Sequence, residues 1–168
     1  MLLVIVGWAV FFYYVSPTTV VNKIGLQDSY LIIFVLGVIC GFSSVTGTTF
    51  YVAVAVLANG GANPFILGIV GGLGLCISDF AFYFVISKGT PVIDKHWAKL
   101  SNFIKRWLKL LPDWAVHLFV FLYSAVAPIP NDVILVTLAV GGTRFKKIAP
   151  YIFAGDIVSV LLLAYLTR

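Results

Sequence analysis

The apolar run over residues 114–142 is broken at its centre by Pro128, Pro130, Asn131 and Asp132, and basic residues border it at both ends. Lys105, Arg106 and Lys109 precede it; Arg144, Lys146 and Lys147 follow it. At about 1.5 Å per helical residue, two full crossings of about 30 Å of hydrocarbon plus a turn need about 40 residues, more than the run holds. It is therefore either one long kinked helix or a helical hairpin that dips in and returns. Basic residues near helix ends gather on the cytoplasmic side. Both flanks ask for the same side, so a re-entrant hairpin fits and a single crossing does not.

A membrane is the expected setting because 61% of the residues are hydrophobic, only 10% are charged and the mean hydropathy is +1.08. A water-soluble chain of this length must wet its surface and does not reach such values. All six acids are aspartates, and eleven Lys and Arg leave a formal charge of +5. Because the basic residues bracket apolar helices, the excess points to anionic lipid headgroups as partners and away from nucleic acid. The first run, "MLLVIVGWAVFFYYV", lacks the basic flank and small-residue cleavage site of a signal peptide and reads as a retained helix.

The polar clusters divide one membrane domain, 1–168, into parts. Residues 1–29 hold an N-terminal helix (1–16) and a linker. Residues 30–87 hold a run broken by "GFSSVTGTTF" and then a span over 64–87. Residues 88–113 are basic, and 114–168 hold the second broken run and a last span over 147–167. With the N-terminus inside, helix 1 leading out and the first hairpin entering from outside, Lys88, Lys95, Lys99, Lys105, Arg106, Lys109, Arg144, Lys146 and Lys147 are cytoplasmic. Only Lys23 and Arg168 fall outside, as the positive-inside rule requires. The result is an inverted repeat of hairpin plus span, the architecture of secondary transporters. Its sequence echo is "VAVLANGG" (54–61) against "LVTLAVGG" (135–142), a register that also sets Gly74 against Gly155.

Asp79 and Asp156 lie deep in the two spans, where an ionised carboxylate costs about 2.5 to 3.5 kcal/mol and must face a partner or water. They are candidate proton or headgroup sites; hydrogen-bonded structural acids are the alternative. At the second bend, Pro128 and Pro130 free backbone carbonyls, which at membrane depth must be buried in protein or line a wet cavity. Asn131 and Asp132 are candidate substrate or proton sites there; the alternative, compatible with that role, is that one of them caps the following half-helix, whose N-terminus would offer N–H groups and a positive dipole end to a phosphate. At the first bend, Ser43, Ser44, Thr46, Gly47, Thr48 and Thr49 supply hydroxyls and a glycine in place of proline and acid, and a kinked span is the competing reading there. Lys88, Arg144, Lys146 and Lys147 are placed to gather anionic headgroups.

Gly37/Gly41 and Gly68/Gly72 have the spacing of close helix packing. In "HWAKLSNFIKRWLKLL", Trp97, Leu100, Ile104, Trp107, Leu108 and Leu111 recur at helical spacing opposite Lys95, Lys99, Arg106 and Lys109. This predicts an amphipathic helix lying on the cytoplasmic surface. His96 and His117 are too far apart for a local zinc pair, Cys40 and Cys76 lack metal spacing, and "GIVGGLG" follows no strand. No serine nucleophile motif is present, so neither an enzyme, a cofactor nor a metal is expected.

Two stretches, "SDFAFYFVISKG" (78–89) and "YSAVAPIPNDVILVTLAVGGTRFKKIAPYIFAGD" (123–156), resemble the DedA superfamily, also called SNARE-associated or VTT-domain proteins. The resemblance covers residues 30–167, with Asp79, Lys88, Pro128, Pro130, Asp132, Gly141 and Arg144 as counterparts. It implies two opposed re-entrant hairpins, each followed by a span, and lipid handling: flippases for polyprenyl phosphate or proton-coupled transporters among bacterial relatives, phospholipid scramblases among eukaryotic ones. The chain departs from the pattern in having "SSVTGTT" where an acid is frequent, and Ser124 or Ala127 where an arginine precedes the proline.

The expectation is an all-α integral membrane protein, multi-pass in the cytoplasmic membrane, that moves a phosphate-headgroup lipid between leaflets, with proton coupling through its acids. Its partners are phospholipid or polyprenyl phosphate, and a homo-oligomer is left open. The alternatives are a proton- or ion-coupled transporter of a small soluble solute and a non-transporting scaffold.

Overall fold

The computed structural model describes residues 17–40, 44–88, 102, 106, 112–126, 132–140, 143 and 145–168. All seven elements defined among them are helices. Helix α1 spans Pro17–Ile24 and α2 spans Leu26–Cys40, so the expected linker is itself helical. Pro17 occupies the first helical position, where a missing N–H costs nothing. Gly25 ends α1 at φ 88°, a left-handed conformation that favours glycine, and the chain enters α2 at once.

Helices α3 (Ser44–Asn59), α4 (Pro64–Lys88), α5 (Asp113–Val126), α6 (Asp132–Val140) and α7 (Phe145–Leu166) follow. Among the described residues, α4 and α7 are the two helices long and apolar enough to cross a membrane. The 15 residues of α2, 16 of α3, 14 of α5 and 9 of α6 give lengths of about 14 to 24 Å, short of a hydrocarbon core. The predicted helix over 1–16 lies outside the described residues. So does most of the predicted amphipathic helix over 88–113, of which Asn102 and Arg106 are exposed.

Small residues set the pairing of the helices. A Cβ placed on Gly72 stands 2.9 Å from the Ile157 nitrogen, and one on Gly68 meets Leu161, so α4 and α7 run antiparallel in close contact. A Cβ on Gly74 stands 2.6 Å from the Phe34 carbonyl oxygen and one on Gly37 stands 3.0 Å from Gly74 Cα. One on Gly71 meets Ile33, so α2 runs parallel to α4. On the other side, a Cβ on Gly155 stands 2.8 Å from the Phe121 carbonyl oxygen and 2.5 Å from Ser124 Cβ. The His117 ring stacks on Tyr151 at 4.5 Å, so α5 runs parallel to α7. Backbones approach this closely only where no side chain intervenes.

The connecting helices α3 and α6 return the chain. The backbone nitrogen of Asn63, beyond α3, donates to the Tyr30 hydroxyl at 2.9 Å, which brings the chain back to the end where α2 began. Each return helix packs on the long helix of the other half, α3 on α7 and α6 on α4. Both close alike: Ala62 N donates to Leu57 O at 2.9 Å and Thr143 N to Leu138 O at 3.1 Å, the C-terminal bond that satisfies an orphan carbonyl. These four residues are aligned by the register that matches "VAVLANGG" with "LVTLAVGG".

Two apolar clusters result. One, at the Asn63 end, includes Ile33, Phe50, Val54, Leu57, Leu67 and Val160. The other, at the Thr143 end, includes Tyr83, Val120, Ile134, Leu135, Leu138 and Ile152. The outward faces are apolar too, with Leu31, Val35, Ile39, Phe84, Leu122 and Leu162 among the exposed residues.

Candidate functional site

Asp79 and Asp156 are buried, with 2% and 1% of their surface exposed, on the paired helices α4 and α7. Asp79 follows Leu75 of the first cluster by one turn and precedes Tyr83 of the second by one turn. Asp156 stands midway between Ile152 and Val160 in the same way. The two carboxyl groups therefore occupy a layer between the clusters. Tyr51 of α3 and Cys76 of α4 each lie within electrostatic reach of both, and Ser159 is the hydrogen-bonding neighbour of the Tyr51 hydroxyl.

The ends of the four short helices fall at this level. Because Gly37 packs on Gly74 and the helices run parallel, Cys40 at the end of α2 is level with Ser78. Likewise, Ser124 against Gly155 sets Val126, at the end of α5, beside the turn that carries Asp156. Tyr83 donates its hydroxyl proton to the Thr143 carbonyl just past α6, and α4 and α6 run parallel there. Counting back along both helices, Ser78 is then level with Leu138, and the first turn of α6 is level with Leu73 and Gly74. The N-termini of α3 and α6 thus lie toward the layer of acids, with the positive ends of their dipoles on that side.

Ser78, Ser124 and Thr137 are buried polar residues of the same zone. The Oγ atoms of Ser78 and Ser124 make no hydrogen bond among the described residues. By contrast, Ser29 donates to its own helix at Gly25 O, 2.7 Å, and Thr167 to Leu163 O, 2.8 Å. An unsatisfied buried hydroxyl costs about 1 to 3 kcal/mol, so two beside two buried acids mark a place with polar work to do.

The structure brings together fewer of the sequence-predicted residues than the bend motif suggests. Asp132 is the first residue of α6, while Asn131, Pro128 and Pro130 lie outside the described residues. Ser44 opens α3, and Thr46, Gly47, Thr48 and Thr49 lie within that helix, so these five residues are helical and not a bend. Hydroxyl side chains can bond back to their own helix, which lets such a segment stay helical. Ser43 and Arg144 lie outside the described residues, Lys88 closes α4, and Lys146 and Lys147 are exposed on the first turn of α7. Every cation whose side chain is described (Lys23, Arg106, Lys146, Lys147 and Arg168) is exposed, and none shares the layer with the acids.

Sequence reasoning missed Tyr51, Ser78, Ser124 and Ser159, and read Cys76 as a small hydrophobe. A usable signal was present. Ser159 lies three residues after Asp156, on a neighbouring face, and the register that pairs Gly74 with Gly155 also pairs Ser78 with Ser159. Comparison with family models, with curated proteins and with solved structures finds no match to this chain.

Proposed function

We propose that this chain is a multi-pass membrane transporter that moves a phosphate-headgroup lipid between leaflets, with Asp79 and Asp156 as proton-exchanging groups. The observation that carries the reading is the layer of buried acids and hydroxyls, set between two apolar clusters at the level where four short helices end. Broken helices meeting at mid-depth, with half-helix N-termini turned inward, are how transporters hold a polar ligand inside a bilayer. Apolar outward faces on every long helix support lipid as the surrounding solvent. On this reading α2 with α3, and α5 with α6, are re-entrant hairpins that enter from opposite faces. The antiparallel pairing of α4 with α7 and the matching closing bonds of α3 and α6 support that inverted repeat.

The headgroup sits against the N-termini of α3 and α6 while its tails stay in lipid. The basic residues of 144–147 and Lys88 concentrate anionic headgroups at the cytoplasmic face. The likeness of residues 78–89 and 123–156 to the DedA superfamily agrees with this assignment. The test is reconstitution into liposomes carrying a fluorescent phospholipid or polyprenyl phosphate, scored by dithionite quenching. Faster loss of inner-leaflet signal than in protein-free vesicles supports the reading, and equal rates refute it.

One observation favours a second reading. Two buried carboxyl groups on neighbouring helices are a set of oxygen donors that a proton or a cation can occupy. A cation-coupled carrier of a small soluble solute would show gradient-driven uptake and leave the labelled lipid where it was.

A further inference from the structure

The two apolar clusters separate the layer of acids from the two ends of the bundle. A different return helix completes each: α3 contributes Phe50, Val54 and Leu57 to one, and α6 contributes Ile134, Leu135 and Leu138 to the other. Each return helix is also tied at its outer end to the long helix of the opposite half. Asn59, the last residue of α3, donates through Nδ2 to the carbonyl oxygen of Thr167, just past α7, at 3.0 Å. Tyr83, near the end of α4, donates its hydroxyl proton to the Thr143 carbonyl, just past α6. These ties fall at opposite ends of the antiparallel pair α4 and α7, and they join corresponding elements through unlike residues.

We propose that Asn59 and Tyr83 are positioning residues that latch two gates, α3 over the Asn63 end and α6 over the Thr143 end, so that the acid layer opens to one face at a time. Opening a gate exposes the apolar side chains of one return helix. Opening both would expose both clusters together, so the states with one gate open are the accessible ones. The described backbone bonds at the closing ends of the return helices run within α3 and α6 themselves, while side-chain bonds tie them to the long helices: Asn59 to Thr167 and Tyr51 to Ser159 for α3, and Tyr83 to Thr143 for α6. Around the Tyr83 bond, aromatic packing joins α4 to the start of α7, since the Tyr83 ring lies 5.0 Å from that of Phe145 and Phe80 lies 5.2 Å from it.

The role rests on the transporter reading, but the geometry does not depend on lipid as the cargo, and neither does its test. Cys76 is a half-buried thiol in the acid layer and serves as the reporter once Cys40→Ser has removed the other cysteine. In proteoliposomes of uniform orientation, its rate of modification by a membrane-impermeant thiol reagent is measured from each side. Tyr83→Phe keeps the ring and loses only the donor; Asn59→Ala changes an exposed residue.

Loss of one net hydrogen bond should raise modification about fivefold: from the Thr143 side in Tyr83→Phe, from the Asn63 side in Asn59→Ala, with the opposite side unchanged in each. Ser159→Cys with both native cysteines replaced gives a second reporter, on α7, and should show the same sidedness. Unchanged rates at both reporters, or acceleration from the same side in both variants, would overturn the gates. Opposite-sided acceleration without lipid movement in the dithionite assay would leave the gates standing and remove the lipid reading alone.

Discussion

At Gly74 and Gly68 the same residue type meets different neighbours, and the consequence for substitution differs. A methyl at Gly74 runs into the Phe34 carbonyl oxygen at 2.6 Å, which is backbone and cannot move without separating α2 from α4. A methyl at Gly68 meets Leu161 Cγ, in a flexible side chain. Gly74→Ala should therefore cost about 1 to 3 kcal/mol and Gly68→Ala less than half of that, as overpacking relieved by a rotamer change is the milder kind. Thermal unfolding in detergent, followed by circular dichroism, checks the order; an equal loss at both positions would contradict the close approach at Gly74. The sequence marks Gly68 and Gly72 by spacing alone, whereas Gly74 emerges from the repeat register. The acids were legible one at a time because a charge in an apolar run is conspicuous. Their common neighbours Tyr51 and Ser159 were not, since a tyrosine and a serine are unremarkable in such helices until tertiary packing brings α3 against α7.

Among the elements, the length of the two spans was readable from hydropathy, because it depends on local sequence. The helical state of residues 44–49 was not. Hydroxyl side chains support either a bend or a continued helix, and packing of α3 against α1, α2 and α7 chooses the helix from Ser44 onward. The linker over 17–29 was misjudged for a related reason: polar residues there fill the faces of a short amphipathic helix around buried Val21 instead of a loop. The hairpin reading makes a sided prediction. Trp114 at the start of α5 and Lys147 at the start of α7 are both exposed, and the stacking of His117 on Tyr151 puts those starts at one end. Asn63 lies at the other end, beside Tyr30. Single cysteines at 114 and 147 should be labelled from one face and a cysteine at 63 from the opposite face. Labelling of 114 and 147 from different faces would mean that residues 114–140 cross the membrane once.

For the whole molecule, the two acids are informative as a pair. They come from α4 and α7, which pair antiparallel, and Tyr51 and Cys76 lie within electrostatic reach of both. Two carboxyl groups in one buried layer cannot both ionise cheaply, so protonation of one bears on the other, and they act as a unit. Substitutions in such a unit are not additive. Asp79→Asn and Asp156→Asn should each slow transport by roughly tenfold, the scale of one lost coupling, with the variants still folding because the amide keeps the shape and one acceptor of the acid. The double variant should then be no slower than the worse single one. If the two losses multiply to about a hundredfold, the acids serve separate steps, and the layer is two sites that share a depth. Multiplied losses would also leave the antiparallel pairing of α4 with α7 explained by its glycine packing alone, and the proposal of one shared set of protons would fall.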